Sequence, residues 1–482
     1  MSGPLVVVGD VLLDVDVEGT TTRLCPDAPA PVLDVERERV RPGGAGLAAL
    51  LAARDGDEVV LVTALGDDAA AQRLRALLSP VVTLVALPDA HGTREKVRVR
   101  AGGTSLVRLD RGGPGAPDAS GAAERLREVL AGAGAVLVSD YGGGTTSLPE
   151  VRAALQERPH GVPLVWDPHP RGAAPVPGAT LVTPNADEAQ RLGGPLDDLP
   201  AAPLAAAEAR AAALVRRWRA GAVAVTLGAR GALLSYGQGT PVVAPAPFAA
   251  HGDSCGAGDR FATAAAQSLA HGGGLSDALT HAVATAAAFV AAGGAASVEV
   301  RDEPSGAPAA APPAGTAPAP GTAAPGTSTP EDVARRVRAA VGAGGTVVAT
   351  GGCFDLLHAG HVATLRAARA LGDALVVCLN SDASVSRLKG PTRPLVTAGD
   401  RARVLEALEC VDAVVVFDED TPEAVLDRLR PDVWAKGGDY ADVALPESDL
   451  VRSWGGQPVV LPYLDGRSTT GLVTRITSGA PR

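Results

Sequence analysis

Residues 350–361 read TGGCFDLLHAGH and set His358 and His361 three apart around Gly360, directly after the apolar run TVVA. Three chemistries are open to such a pair: a metal site, a buried core pair, or donors to a phosphate. Zinc asks for three or four Cys, His or carboxylate ligands, and Cys353 and Asp355 complete no recognisable spacing. A glycine at a strand-to-helix junction lets a bulky ligand reach backbone N–H groups, and imidazole N–H groups there can stabilise charge building on a phosphate oxygen. On chemistry alone the phosphate reading is ahead.

A second segment, HGDSCGAGDRFATAAAQSLA (residues 251–270), leads Gly256-Ala257-Gly258 into an Ala-rich stretch of helical length. Glycines at a helix start let backbone N–H groups face an anion. Asp259, one position on, could accept the proton of a hydroxyl attacking a phosphoryl group. The plainer alternative is a glycine turn with Asp259 capping the helix, and short glycine motifs alone do not decide between the two.

Both segments require a strand before them and a helix after. LVVVGD, AVLVSD, PLVWDP, ATLVTPN and AVAVTLG are short apolar runs ending in Gly, Asp, Asn or Pro, separated mostly by Ala/Arg/Leu-rich stretches such as LAAAEARAAALVRRWRA. This alternation predicts an α/β fold with a mostly parallel sheet and helices on both faces. EKVRVRAGGTSLVRLD alternates apolar and polar residues about Ala-Gly-Gly and predicts an antiparallel hairpin with one solvated face. TVVATGG, ALVVCLNSD, DAVVVF and DVWAKGG repeat the α/β pattern near the C-terminus. Ligands of such sheets sit where strands end.

Residues 304–330 carry no charge, no aromatic and no hydrophobic periodicity, so they cannot bury enough surface to offset ordering entropy. They predict a linker between residues 1–303 and 331–482, roughly 30 Å long as a flexible coil, which argues against a tight channel between sites in the two halves. The net charge of −11 argues against nucleic acid as a partner. Five widely spaced cysteines without a C-x-x-C fit reduced thiols in the cytoplasm. No signal peptide or membrane span is expected. Only Lys96, Lys389 and Lys436 break the arginine usage among 43 basic residues, which points to sites where a compact ammonium is wanted.

GDSCGAGDRF resembles the D-x-x-G-A-G-D signature of ribokinase-like sugar kinases, and four further segments agree with it in order and spacing. GDVLLD resembles the strand end that holds sugar hydroxyls, with Asp10 and Asp14; RPGGAGLAA resembles the di-glycine substrate loop, with Gly43 and Gly44. TPNADEA, with Asn185 and Glu188, resembles the N-x-x-E motif that organises magnesium and phosphate, Glu188 acting on the metal indirectly. VTLGARGALL, with Thr226, Gly228 and Gly231, resembles the nucleotide loop. The resemblance implies Asp259 as catalytic residue and Gly256, Ala257 and Gly258 at the phosphate.

PDAPAPVL, REKVRVR, LVRLD, SDYGGG and WDP are most similar to heptose-7-phosphate kinases, which implies phosphorylation of the anomeric hydroxyl by ATP. Lys96, Arg98 and Arg108 on the hairpin could then hold the 7-phosphate, unless they are a solvated strand face. Three positions depart from the pattern: Leu47 replaces an asparagine, Gly143 a lysine and Arg260 a threonine.

HAGH resembles the H-x-G-H signature of the nucleotidyltransferase superfamily that includes cytidylyltransferases. GCFDLLHAGH, LNSDASVSRLKGPTRPL, DEDTPEAVL, AKGGDY and DGRSTT are similar to heptose-1-phosphate adenylyltransferase domains. This implies His358 and His361 on the triphosphate with Phe354 in the same loop, Lys389 neutralising phosphate charge, Lys436 and Gly437 flanking the nucleotide, and Ser468, Thr469 and Thr470 near the triphosphate. The expected architecture is two doubly wound domains, a ribokinase-like kinase with a β-hairpin lid and a Rossmann-like nucleotidyltransferase. The expected small-molecule partners are sugar phosphates and ATP, with Mg2+ as cofactor and a homodimer through the kinase half. Two other readings stay open: another sugar phosphate or nucleotide, or a first half that only binds or dimerises.

Overall fold

Apolar runs bounded by Gly, Asp or Asn become strands in both halves of the computed structural model, which describes residues 3–102, 104–113, 115–196, 199–298, 329–438 and 445–462. The first strands are β1 (Leu5–Gly9), β2 (Val11–Leu24), β3 (Pro31–Gly44), β4 (Val59–Leu65), β5 (Thr83–Pro88), β6 (Glu95–Ala101) and β7 (Thr104–Arg111). They are followed by β8 (Ala135–Ser139), β9 (Leu164–Asp167), β10 (Leu181–Val182), β11 (Ala222–Thr226), β12 (Ala232–Ser235) and β13 (Val242–Ala244). Beyond the segment that links the halves come β14 (Val347–Gly352), β15 (Ala374–Asn380), β16 (Ala413–Phe417), β17 (Val433–Gly437) and β18 (Gln457–Leu461).

β1 and β8 are buried at every residue, as a parallel strand covered on both faces must be. Odd and even positions of β1 feed two separate cores. Leu5 and Val7 join one apolar cluster, Val6 and Val8 the other, and both clusters run on into the second half through Val347 and Val348.

The expected hairpin, β6 with β7, is present, but it is half of a larger element: a four-stranded lid sheet ordered β3-β2-β6-β7. β2 and β3 pair antiparallel, and charges of opposite sign face each other at Asp14↔Arg41, Asp16↔Arg39 and Glu18↔Arg37. β6 lies parallel to β2, setting Lys96 beside Asp14 and Arg98 beside Asp16.

The two halves are not merely tethered. Their strands form one sheet, ordered β16-β15-β14-β17-β18-β13-β12-β11-β10-β9-β8-β1-β4-β5. The junction is a parallel contact at Val242↔Val460, with the Val460 N–H donating to the Pro241 carbonyl at 2.9 Å. Pairing relieves two exposed apolar edges, VVA of β13 and PVVL of β18. Only β12 runs against its neighbours, so the strand ends that carry both sets of motifs lie on the same carboxyl edge. Eight strand spacings separate β14 from β8 in that order, roughly 40 Å along the sheet. Pro330, the last residue of the expected linker, opens the helix Pro330–Val341 behind a Thr329 cap. Among the described residues no helix is long and apolar enough to cross a membrane.

Candidate active sites

The helix Ala257–Ala270 begins at Gly256, whose φ of 79° is left-handed and suits glycine; a Cβ there would also lie 2.8 Å from Leu47 Cδ2. Ala257 opens the helix, and the Cα of Gly258 faces open space. Asp259 is buried in the first turn. Its Oδ2 accepts a 2.8 Å hydrogen bond from Tyr141 Oη, and Ser139 Oγ lies 3.5 Å from Oδ1. Burial, with Asp14 adding to it, pushes the Asp259 carboxyl up to about 7, against the opposing pull of Tyr141, Lys96 and Ser139. A carboxyl balanced near neutrality beside a helix N-terminus can take a proton from a hydroxyl.

Asp14 reaches this site from β2. Gly43 has to be glycine for it, because a Cβ would stand 2.4 Å from Asp14 Oδ2; one on Gly44 would stand 2.5 Å from the Asp10 carbonyl. Asp14 Oδ1 accepts from Arg98 at 2.7 Å, and Arg98 also lies 3.9 Å from Asp16, itself bonded to Arg41. Arg98 is therefore engaged within a carboxylate–guanidinium network. Arg108 is more exposed and pairs with Asp110 through two bonds. Lys96 differs: its Nζ stands 5.6 Å from the Tyr141 ring centroid, and burial pushes its ammonium down from the ordinary value against the pull of Asp14.

Asp10, which the motif resemblance sets at the sugar hydroxyls, is engaged within the protein. Its carboxylate is filled by the N–H groups of Tyr141, Gly143 and Thr145 at 2.7–3.0 Å, which shapes the loop after β8. The same packing accounts for Gly143, where a Cβ would lie 2.8 Å from Asp10 Cγ and 3.1 Å from Arg94 Nη1. Arg94, bonded to the Tyr141 carbonyl at 3.1 Å, brings a cation to this loop that the motifs did not reveal. Leu47 is a core residue, and Arg260 turns away to pair with Asp55.

In the loop after β11, which the resemblance gives to the nucleotide, Gly231 is left-handed and packed so closely that a Cβ would stand 2.0 Å from the Ala244 carbonyl; Gly228 is left-handed beside open space. Thr226 ends β11 and bridges to Asn185. Asn185 and Glu188 form a capping box on the helix Ala186–Gly193, with both bonds at 2.9 Å. Glu188 Oε2 thus serves the cap, and burial raises the Glu188 carboxyl. Among the described residues no three His, Cys, Asp or Glu side chains group as a metal cage. A single carboxylate suits Mg2+ that arrives on nucleotide phosphates, which commonly uses one or two carboxylates beside phosphate and water.

In the second half, His358 caps the helix Ala359–Arg369, its Nδ1 accepting from the Gly360 N–H at 3.2 Å. The His358 and His361 rings stack at 3.9 Å, and Phe354, with φ 44°, stands 5.3 Å from His361. His361 Nδ1 is buried without a hydrogen-bond partner among the described residues. Burial, then His358 and Lys389, push the His361 imidazole down to about 4. Lys389 ends the helix Asp382–Lys389 with an exposed side chain near enough to be felt electrostatically at His361.

Sequence reasoning passed over the residues that bind the loops together. Asp355 pairs with Arg393 and accepts from the N–H groups of Leu395 and Val396. Arg401 donates to the carbonyls of Cys353 and Val396 and to Asp382. Buried Glu447 accepts from Trp434 Nε1 at 3.0 Å and from Lys436 Nζ at 3.1 Å. Gly437 lets β17 meet the histidine helix, since a Cβ there would lie 2.8 Å from Thr364 Cγ2. Ser468, Thr469 and Thr470 lie outside the described residues.

Residues 150–301 match the pfkB family of carbohydrate kinases and residues 349–461 the cytidylyltransferase-like family. Over nearly its whole length the chain is similar to the "Bifunctional protein HldE" of Streptomyces coelicolor, 57% identical over 477 residues covering 99% of this chain and 97% of the relative. The protein of the same name from Azorhizobium caulinodans is 40% identical over 488 residues, 98% of each chain. A solved Arabidopsis thaliana ribokinase with ribose and ATP aligns to 60% of this chain and 93% of its own, at a TM-score of 0.45 and 23% identity.

Proposed function

The chain belongs to the family of bifunctional HldE proteins, and from that premise we propose that it makes ADP-heptose in two separated steps. The first half moves the γ-phosphoryl group of ATP to the C1 hydroxyl of D-glycero-D-manno-heptose 7-phosphate. The second joins heptose 1-phosphate to the adenylyl group of a second ATP and releases pyrophosphate. Full-length similarity to this family carries the assignment. The 1,7-bisphosphate must lose its 7-phosphate between the steps, which calls for a separate phosphatase.

In the kinase step Asp259 takes the proton of the C1 hydroxyl as its oxygen bonds to phosphorus and ADP leaves. The N–H groups of Gly256, Ala257 and Gly258 at the helix start favour the charge on the migrating group. Asp14 and the turn at Gly43 and Gly44 orient the sugar. Lys96, with Arg94 beside it, is the better partner for the 7-phosphate than Arg98 or Arg108, whose guanidinium groups already have carboxylates. Thr226, Gly228 and Gly231 flank the nucleotide. Mg2+ bound to ATP would draw on Glu188 beside Asn185 and supply charge neutralisation.

In the adenylyl step a phosphate oxygen of the sugar attacks the α-phosphorus, and the bond to pyrophosphate breaks. That nucleophile is already ionised, so positioning and charge neutralisation suffice. His358 and His361 stabilise the triphosphate beside Phe354, Lys389 meets the incoming sugar phosphate, and Lys436 with Gly437 flanks the nucleotide, with Ser468, Thr469 and Thr470 assigned to the same triphosphate. Five free cysteines support a reducing compartment, the cytoplasm. Exposed Leu106, Val107 and Leu109 on β7 at the lid edge support a homodimer through the kinase half.

Phosphorus NMR of ATP, heptose 7-phosphate and an added phosphatase tests the reading. It expects a bisphosphate first and a diphosphate ester of ADP-heptose afterwards; neither signal appearing refutes it. Leu47, buried against Gly256 where the family pattern puts an asparagine, motivates a second reading with a different sugar. A panel of sugar phosphates given to the kinase half decides between them.

A further inference from the structure

At the sheet junction the turn 236–241 between β12 and β13 lies at the amino edge, away from the kinase loops at Thr226–Gly231. Thr240 in this turn is 1% exposed, yet its hydroxyl is fully used across the junction. Thr240 Oγ1 accepts the Leu445 N–H at 3.3 Å and shares a 3.3 Å hydrogen bond with Ser448 Oγ. Leu445, Glu447 and Ser448 are each at most 2% exposed, so this segment is locked into the interior. Around it, Arg452 reaches the Gly239 carbonyl at 3.5 Å and Glu208 at 3.6 Å, and Gln457 donates to Glu208.

Between the two residues that Thr240 clamps stands Glu447. Its Oε1 takes the Lys436 ammonium and the Trp434 indole N–H together. That indole lies against the end of β14, the strand that leads to the histidines, since a Cβ on Gly351 would stand 2.7 Å from Trp434 Cη2. A path of direct contacts therefore runs from Thr240 through the 445–448 turn to Glu447, then to Lys436 and to the strand that leads into His358.

We propose that Thr240, a residue of the kinase half, is a positioning residue for the nucleotidyltransferase site, fixing the turn that holds Glu447 against Lys436. The proposal rests on Lys436 flanking the nucleotide. It makes the kinase half part of the working second site, while the kinase chemistry itself does not depend on Thr240.

The test uses the full chain and three variants: Thr240→Val, which keeps the β-branched shape, Thr240→Ser, which restores the hydroxyl, and Lys436→Met. Thr240→Val should raise the KM for ATP in pyrophosphate release about three- to tenfold, the scale of one buried hydrogen-bond network loosened. It should leave kcat within about twofold and ADP formation from heptose 7-phosphate unchanged, and Thr240→Ser should return the KM to that of the parent. Lys436→Met should raise the same KM at least as much. If Lys436→Met does so and Thr240→Val does not, positioning across the junction is refuted while the assignment of Lys436 stands. If Lys436→Met leaves the KM unchanged, that assignment fails and the proposal falls with it. Equal loss of both activities in Thr240→Val without rescue by serine also overturns it, because that pattern marks general destabilisation.

Discussion

Tyr141 Oη donates to Asp259 Oδ2 at 2.8 Å across 118 residues of sequence, so the carboxylate proposed to take the sugar's proton is already hydrogen-bonded. The incoming hydroxyl must share or replace that bond. Asp14, Lys96 and Ser139 also act on this carboxylate, and burial dominates, placing its titration at about 7. Kinase activity needs the ionised form, so ADP formation should fall as pH drops through about 7. Tyr141→Phe removes a bond that favours the ionised form and should move this limb to higher pH. At pH 7 the loss is roughly fivefold if the shift is about one unit, or 1.4 kcal/mol, with parental rates regained near pH 9. An unmoved limb in the pH profile of kcat/KM would rule the hydrogen bond out as a determinant.

Asp259→Asn should abolish sugar-dependent ADP formation while leaving pyrophosphate release intact. The sign of its stability effect follows from linkage. An acid whose folded pKa is raised from 3.8 to about 7 costs stability increasingly as pH rises between those values, and the full cost is present above about 7. Removing the charge should therefore raise Tm at pH 8 and change it little at pH 4. Thermal melts of parent and variant at both values check this, and a lower Tm for the variant at pH 8 contradicts it.

His361 titrates at about 4, pushed down by burial, His358 and Lys389. It is therefore neutral through the working range. Pyrophosphate release should show no limb near the ordinary histidine value of about 6.5 that vanishes in His361→Asn. His361→Ala should cost about 100- to 1,000-fold in kcat, as for a lost transition-state donor, with ADP formation spared. Retention of pyrophosphate release in the alanine variant contradicts the role given to HAGH.

The central sheet was legible because parallel strands buried on both faces must be near-continuous apolar runs; LVVVG and AVLVS cannot be much else. β2 and β3 are not legible as a paired lid: only DVDV alternates, while VERERVR is almost wholly charged and sets Val35 and Val40 five apart, so it carries no period-two apolar signal. Motif spacing singled out Asp259 and the histidines as candidates but not what touches them. Tyr141, Arg94 and Glu447 are reached only after folding brings distant strand ends together. Thr240 was invisible for a related reason: short apolar edges at β13 and β18 do not name each other as partners.

The loop that follows Lys389 is tied to the loop preceding the histidines by Asp355. Burial pushes the Asp355 carboxyl up, but Arg393 and the N–H groups of Val396 and Leu395 outweigh it and hold it below its ordinary value. Asp355→Asn keeps the shape and loses the charge, so it should cost about 1–3 kcal/mol of stability. It should also raise the KM for heptose 1-phosphate more than that for ATP, because Lys389 is freed while Lys436 is not. The stability that Asp355 adds is present above the unfolded carboxyl value and is lost as pH falls through the depressed folded one. Parent and variant should therefore converge in acid, and urea titrations at pH 7 and pH 3 check that.

Gly143 stands where the heptose-7-phosphate kinase pattern has a lysine, and restoring that lysine looks at first like a gain of function. The structure predicts the reverse. A Cβ at 143 would sit 2.8 Å from Asp10 Cγ, and that carboxylate cannot swing aside without abandoning the N–H groups of Tyr141, Gly143 and Thr145. Arg94 Nη1, 3.1 Å from the same point, already supplies a cation. Gly143→Lys should therefore displace the loop bearing Tyr141 and lower kinase kcat/KM by at least about tenfold, equivalent to 1.4 kcal/mol. Arg94→Ala should raise the KM for the sugar phosphate with little change in that for ATP. The double variant Gly143→Lys/Arg94→Ala should not recover the loss, because the Asp10 carboxylate still occupies the space a Cβ needs. Steady-state kinetics of the three proteins settles the matter, and an increase in activity for Gly143→Lys alone would show that the loop yields where its hydrogen bonds say it is fixed.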